Sequence, residues 1–294
     1  MRYSSIAVIY NPNSTGSSKS VAETFKKNVL ARLPDQKIEL FATEHAGHAE
    51  ELAYSLAKVS TNALIISSSG DGGYNEVVNG AMKAQNQGYK VTTGLLPAGN
   101  ANDHYRNLHK GNIIDFIEKG ESRSIDLLKI KSKSGRKTFE RYAHSYIGLG
   151  LTPEVGQELN KTKLSLGKEV WLVAKVLLAS KPVRLKIKRR AGYYESIVFS
   201  NVDSMSKYLK ISHPSSVTDG KFEVTVFERR GRWKLISDLL RATVVSAKED
   251  ECTSRFTLKT IDKTLVQVDG EVAMLNARAR VVVTAEKQVL RCVV

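Results

Sequence analysis

The segment Ser67-Ser-Ser-Gly-Asp-Gly-Gly-Tyr-Asn-Glu-Val-Val-Asn-Gly80 narrows the choice of fold more than any other stretch of this chain. It follows a short apolar run, Ala63-Leu-Ile-Ile66, and leads into residues with helical character. Strand, Gly-rich turn and helix make the repeating unit of a parallel α/β sheet, whose ligands bind beyond the carboxyl ends of the strands. Such a turn exposes backbone N–H groups at a helix N-terminus, where phosphate binds. Asp71, inside the turn, would repel phosphate on its own. Acid beside phosphate is chemically sensible when a divalent cation lies between them. Asn75 and Glu76 would open the following helix next to the same ligand. The segment is neither a Walker A sequence nor a G-x-G-x-x-G fingerprint. Read alone, Gly70, Gly72 and Gly73 would also serve an ordinary tight turn.

The surrounding pattern extends this unit. Strand-like runs at 6–10, 37–42, 63–67 and 93–96 alternate with helix-like runs at 17–33, 48–59, 75–85 and 113–119. In the second of these helices Leu52, Leu56 and Val59 are spaced for one packing face. Near residue 124 the character changes. Short β-like segments follow at 124–131, 137–145, 184–190, 196–201, 221–227, 254–261, 265–268 and 279–283, separated by Gly, Asp or charged turns. That is the signature of an antiparallel sandwich, here interrupted by helical patches at 165–179 and 232–247. The expected architecture is an α/β domain with a parallel sheet over residues 1–125 and a β-rich sandwich domain over residues 126–294. The last segment has room to return to the first domain.

Composition bounds the partners. The 294 residues are 41% hydrophobic, enough for a packed core, and hold no run of 18 uncharged apolar residues that would span a membrane. Residues 6–10 read as a first strand and not as a signal peptide. Cys252 and Cys292 have no metal-site spacing and read as free thiols in a reducing cytoplasm, with a single disulfide as the alternative. Residues 1–125 hold 13 Lys and Arg against 12 Asp and Glu, and the remainder hold 32 against 18. The formal charge of +15 therefore sits almost wholly in the second part. An anionic partner follows, either membrane or nucleic acid. There is no RNP-like aromatic motif and no zinc spacing, so nucleic acid is not expected. Lys186-Ile-Lys-Arg-Arg190 alternates like an exposed strand, and Arg229-Arg-Gly-Arg-Trp-Lys234 runs into an apolar helix. Both suit an anionic bilayer surface. His45, His48, His104 and His109 show no metal-ligand spacing and read as solvated surface.

Five segments stand in a fixed order: Asn11-Pro-Asn-Ser-Thr-Gly16, Thr43-Glu-His-Ala-Gly-His-Ala49, Ser69-Gly-Asp-Gly-Gly-Tyr-Asn-Glu-Val-Val-Asn-Gly80, Leu96-Pro-Ala-Gly-Asn-Ala-Asn-Asp-His-Tyr-Arg106 and Val268-Asp-Gly-Glu271. In this order and spacing the chain resembles the diacylglycerol kinase catalytic-domain family, which includes bacterial soluble lipid kinases and the sphingosine and ceramide kinases. The resemblance implies an active site in a cleft between two domains. It also implies that the chain transfers the γ-phosphate of ATP, with Mg2+, to the hydroxyl of diacylglycerol or a related lipid alcohol. Asn11 and Asn13 would lie near the nucleotide and Thr43 on its adenine side. Residues 70–73 would wrap the triphosphate, with Gly99, Asn100 and Asn102 beside them. Asp71, Asp103 and Asp126 would organise the metal, and Glu271 would help hold it. Asp269 would take the proton from the lipid hydroxyl, with Asp71 the second catalytic carboxylate. Such an enzyme would be cytoplasmic and peripherally membrane-associated, and a homodimer is compatible with it.

The residues themselves leave other readings open. Asp269-Gly270 is also a common hairpin turn. Asp126 is also an ordinary strand-end carboxylate, and Asn100, Asn102 and Asp103 also suit a helix cap. The chain departs from the family pattern at Ser69 (usually Gly), Gly73 (usually Thr), Asn100 (usually Thr) and His104 (usually Phe). Residues 202–208 stand where a Gly-rich stretch is usual. The alternatives are an NAD kinase-like enzyme, which shares Gly-Asp-Gly turns, and a lipid- or nucleotide-binding relative without turnover.

Overall fold

The computed structural model describes residues 3–14, 17–109, 111–150, 181–202, 204–205, 209–210, 216–228 and 251–294. The expected helices at 165–179 and 232–247, the basic stretch 229–234 and most of 202–208 lie outside the described residues. The chain divides into two compact units, 1–125 with 288–294, and 126–287.

The first unit alternates β1 (Ser5–Tyr10), α1 (Ser18–Arg32), β2 (Ile38–Ala42), α2 (His48–Val59), β3 (Ala63–Ser69), α3 (Asp71–Gln85) and β4 (Val91–Pro97). Two short helices follow, α4 (Asp103–Leu108) and α5 (Ile113–Lys119). Strands β2, β1, β3 and β4 are parallel neighbours in that order. Strands β1, β3 and β4 are buried on both faces, as a covered parallel sheet requires, whereas the edge strand β2 exposes Glu39 and Ala42. Ile6, Val8, Leu64 and Ile66 face a core with Ala22, Phe25 and Val29 of α1 and Ile113, Ile114 and Ile117 of α5. The alternate residues Ala7, Ile9, Ala63 and Ile65 are equally buried.

Helices α2 and α3 pack closely, and here the sequence expectation needs correction. The buried face of α2 is Ala49, Ala53 and Ala57, whereas Val59 is 84% exposed and Leu52 and Leu56 are half-buried. Small residues win because α3 presents Gly80. A Cβ there would meet the Glu50 carbonyl oxygen at 2.3 Å and Ala53 Cβ at 2.8 Å. Backbone cannot yield as a flexible side chain can. Gly80→Ala is therefore expected to cost about 1–3 kcal/mol, seen in calorimetry as a melting temperature lowered by about 3–10 °C. An unchanged melting temperature would show that the two helices pack less closely than this.

The second unit is antiparallel. Its strands are β5 (Arg123–Ser134), β6 (Lys137–Ala143), β7 (Tyr146–Gly150), β8 (Val183–Ile187), β9 (Arg190–Ser200), β10 (Ser204–Met205), β11 (Leu209–Lys210), β12 (Phe222–Glu228), β13 (Glu251–Thr253), β14 (Arg255–Thr260), β15 (Thr264–Val268), β16 (Glu271–Leu275) and β17 (Arg280–Val293). The long β9 changes partner along its length, pairing β8 through residues 190–194 and β7 and β12 through its later half. Strand β17 divides between the units. Residues 280–284 pair with β14, and Cys292 and Val293 run parallel to β4. The ladders enclose one apolar core that includes Leu128, Ile147, Leu185, Phe199, Phe222, Phe256, Val266 and Val281.

One local reading changes. Residues 184–190 do not form one strand, because β8 ends at Ile187, which pairs with Arg190 across a two-residue turn. Lys188 and Arg189 hold that turn with φ of 46° and 72°, the left-handed geometry of a type I′ hairpin. The two cysteines are free: Cys252 is exposed, and burial pushes the Cys292 thiol up to about 12. Among the described residues no helix is long and apolar enough to cross a membrane.

Candidate active site

Parallel register puts four loops of the first unit on one edge of its sheet. Tyr10 is level with Ala42 and Ser68, and Ser69 is level with Pro97. Strand β1 has β2 on one side and β3 on the other, so the chain changes winding direction there, and a crevice forms at the carboxyl ends. Asn11 and Asn13 are exposed in the turn after β1, where the Asn13 N–H donates to Asn11 Oδ1 at 2.9 Å. Buried Ser18 ties this turn to β3. It accepts the Asn11 N–H at 3.1 Å and donates its hydroxyl to the Ser68 carbonyl. Half-buried Thr43 continues the β1–β2 pairing through its N–H on the Tyr10 carbonyl at 2.9 Å. Asn11, Asn13, Thr43, residues 70–73 and residues 99–102 thus share one edge.

The Gly-rich loop is tighter than its sequence implied. Helix α3 starts at Asp71 and not at Asn75, so Gly72 and Gly73 lie in its first turn. Gly70 is the N-cap and has no side chain to cap this end. Gly99 passes so close that a Cβ on it would meet Gly70 Cα at 2.4 Å. Only glycine allows this approach of the β3 and β4 loops.

Asp71 completes the junction and is not an open loop carboxylate. It is only 8% exposed. Its Oδ2 accepts the Asp103 N–H at 3.0 Å and its Oδ1 the His104 N–H at 3.1 Å. Its charge therefore offsets the positive N-terminus of α4. Asn102, the left-handed N-cap of α4, closes the loop on itself by accepting from the Gly99 N–H at 2.9 Å and donating to the Gly99 carbonyl at 2.8 Å. Asn100 beside it is half-buried. Asp103 is fully buried and pairs with the Arg106 guanidinium at 2.7 Å.

Asn75 and Glu76 do not present themselves to a ligand as expected. Asn75 is fully buried in α3 and accepts from Asn79 Nδ2 at 3.1 Å. Glu76 spans to α2, where Oε1 accepts the Gly47 N–H at 2.9 Å and Oε2 the Ala49 N–H at 3.1 Å. A carboxylate at a helix N-terminus is a cap, and that use of Glu76 fixes the loop carrying Thr43. Nor are all the histidines solvated. His104 is fully buried with its ring 4.9 Å from that of Tyr74. His109 stacks on Tyr105 at 4.3 Å, and burial draws it down to about 4. His45, His48 and Glu51 bring ligating atoms within 4.8 Å of one another on the surface, a grouping that linear spacing did not announce.

The remaining candidates belong to the second unit. Asp126 is fully buried. Its Oδ2 accepts the Gly220 N–H at 2.6 Å and its own N–H donates to the Val217 carbonyl at 2.7 Å, which secures the loop holding exposed Asp219. Asp269 and Gly270 form the two-residue turn between β15 and β16, with φ of 48° and 98°. The hairpin reading of this dipeptide and its candidate chemistry therefore coexist. The Asp269 carboxylate is fully buried in a nest of three consecutive amides. Oδ2 accepts the His144 N–H at 2.6 Å, and Oδ1 accepts those of Ser145 and Tyr146 at 3.0 and 2.9 Å. Glu271, half-buried, opens β16 opposite Val268.

Known proteins resemble this chain along the same lines. Its sequence is 24% identical to a diacylglycerol kinase of Bacillus subtilis strain 168, over 90% of this chain and 88% of the other. It is 29% identical to a diacylglycerol kinase of Staphylococcus aureus strain JH9, over 76% and 70%. In fold it resembles a diacylglycerol kinase from Bacillus anthracis strain Sterne, with a TM-score of 0.69 at 15% identity, over 100% and 97% of the chains. The fold is shared more distantly with yeast NADH kinase, at a TM-score of 0.53 and 11% identity over 99% and 83%. Residues 5–130, which contain the β1, β2, β3 and β4 loops, match the diacylglycerol kinase catalytic domain.

Proposed function

We propose that this protein is an ATP- and Mg2+-dependent lipid kinase that phosphorylates diacylglycerol or a related lipid alcohol at an anionic membrane surface. The observation that carries the reading is the edge of the parallel sheet. There an uncapped helix N-terminus rich in glycine adjoins the Asn11, Thr43 and Gly99 loops. The donor set fits a triphosphate with a divalent cation. Gly70 has no side chain to cap the first turn of α3, and Asp71 and Asp103, whose oxygens also hold the α4 amides and Arg106, would supply the hard oxygens such a cation prefers. When bound, Mg2+ would neutralise charge on the transferring phosphoryl group. The amides of Gly72 and Gly73 would hold phosphate oxygens, and Asn11, Asn13 and Thr43 would orient the nucleotide. In the transfer, the acceptor oxygen bonds to the γ-phosphorus as the bond to ADP breaks. Asp269 takes the hydroxyl proton.

The direct test is transfer of labelled γ-phosphate with Mg2+ to a panel of lipid alcohols in mixed micelles, with NAD+ offered in parallel and Asp269→Asn as control. Label in one lipid, lost in the variant while Mg-ATP still binds, is the expected outcome. Label on NAD+ alone, or Mg-ATP binding with no acceptor labelled, would refute the lipid-kinase reading.

The membrane half of the proposal has its own test. Lys186, Lys188, Arg189 and Arg190 are all exposed around the β8–β9 turn. A cation near an anionic surface contributes about 1 kcal/mol. Arg189→Glu with Arg190→Glu is expected to weaken binding to phosphatidylglycerol vesicles about 30-fold or more at low salt, and less at high salt. Equal sedimentation of the variant and the parent with vesicles would remove this turn from the interface.

A further inference from the structure

Asp269 has a side-chain neighbour that sequence reasoning missed. The His144 imidazole is fully buried, with Nε2 3.3 Å from Asp269 Oδ2 and Nδ1 2.8 Å from Ser145 Oγ. With its hydrogen on Nε2 the ring would present a donor to Oδ2, and Nδ1 would accept the Ser145 hydroxyl. Packing alone does not account for this. A leucine would fill the same space without two ring nitrogens that need partners. Satisfying the carboxylate does not account for it either, because three backbone amides already reach it. Two of those amides reach Oδ1 and one reaches Oδ2, and the imidazole Nε2 lies beside Oδ2.

We propose that His144 is a positioning residue for Asp269. Braced by Ser145, its Nε2–H fixes the direction of Oδ2 and with it the direction from which Asp269 can accept a proton. This follows the general arrangement in which a base is oriented by a third group. The role of Asp269 in transfer rests on the lipid-kinase reading above, whereas the tautomer of His144 and its coupling to Asp269 do not.

Two substitutions separate orientation from packing. In His144→Gln the side-chain amide nitrogen replaces Nε2 as donor. His144→Leu keeps the approximate volume and removes the donor. His144→Leu is expected to lower kcat about 10- to 100-fold, as loss of such orienting partners does, with the KM for Mg-ATP unchanged. His144→Gln is expected to retain most of the parent kcat. Full kcat in His144→Leu, or an equal loss in both variants, would overturn the proposal. Long-range 15N–1H spectra give a second readout. The expected signature is the Nε2–H tautomer for His144, with its Nε2 resonance displaced by Asp269→Asn. An Nδ1–H tautomer, or no response to Asp269→Asn, would overturn the pairing whether or not a lipid is phosphorylated. Failure of the parent protein to label any lipid would instead sink the kinase reading and leave the pairing to be judged by these spectra.

Discussion

Asp71→Ala is expected to abolish phosphoryl transfer and to lower the melting temperature by about 5–15 °C. Loss of fold stability follows from the partners of the carboxylate. Its two oxygens hold the N–H groups of Asp103 and His104, both residues being fully buried. Removing the acceptor strands two buried donors, at about 1–3 kcal/mol each. It also takes a negative charge from the N-terminus of α4. Loss of transfer follows because the same carboxylate joins the two loops whose glycines touch, so the backbone of residues 70–73, the proposed phosphate cradle, loses its support. Asp71→Asn separates the two effects in part. Its amide oxygen can keep one N–H, while its NH2 group opposes the other, so an intermediate melting temperature is expected. Calorimetry and lipid-kinase assays on both variants decide the matter. Activity lost at an unchanged melting temperature would mean that the junction does not depend on Asp71. A lowered melting temperature with full activity would remove Asp71 from the site.

What the sequence conveyed about this protein depended on which interactions are local. Helix α2 spans His48–Val59 and α5 spans Ile113–Lys119, the bounds that periodicity implied, because each ends in residues that stop a helix. At α5 this is Asn112, whose side chain accepts the Ile114 N–H at 3.0 Å, and left-handed Gly120. The packing face of α2 was not legible. Leucine spacing marked one stripe, but the contact was decided by Gly80, 27 positions or more away from Ala49 and Ala53 in the chain and visible only once α3 was in place. The start of α3 was misplaced for a similar reason. Adjacent glycines disfavour a helix by propensity, and tertiary packing of Asp71 and Gly70 overrides that preference. The motifs named the loops at the strand ends, and they also drew in Asn75 and Glu76, whose polar groups turn inward to protein. His144 carried no signal at all. It lies in no motif and meets Asp269 only through strand pairing, 125 residues apart in sequence.

Restoring the usual family residue at one position of the Gly-rich loop is expected to damage the site, and restoring two is expected to repair it. A Cβ at position 73 would lie 2.7 Å from both Cβ and Oγ of Ser69. Gly73→Thr therefore forces the end of β3 away from the first turn of α3, and Mg-ATP binding should weaken about 10-fold or more, in line with overpacking costs of about 1–3 kcal/mol. In Ser69→Gly with Gly73→Thr the obstructing atoms are gone, and binding should return to within a few-fold of the parent. Ser69→Gly alone gives up the hydroxyl contacts to Ser67 Oγ at 2.6 Å and to the Gly70 carbonyl at 2.9 Å, and should be mildly weakened. Titration calorimetry of the four proteins with Mg-ATP completes a double-mutant cycle, whose coupling should be at least about 1 kcal/mol and favourable. Additive effects would mean that the two departures arose independently. A coupled pair means that Ser69 and Gly73 are one rearrangement of the loop, in which a side chain has moved from the helix to the strand end while the loop backbone keeps its shape.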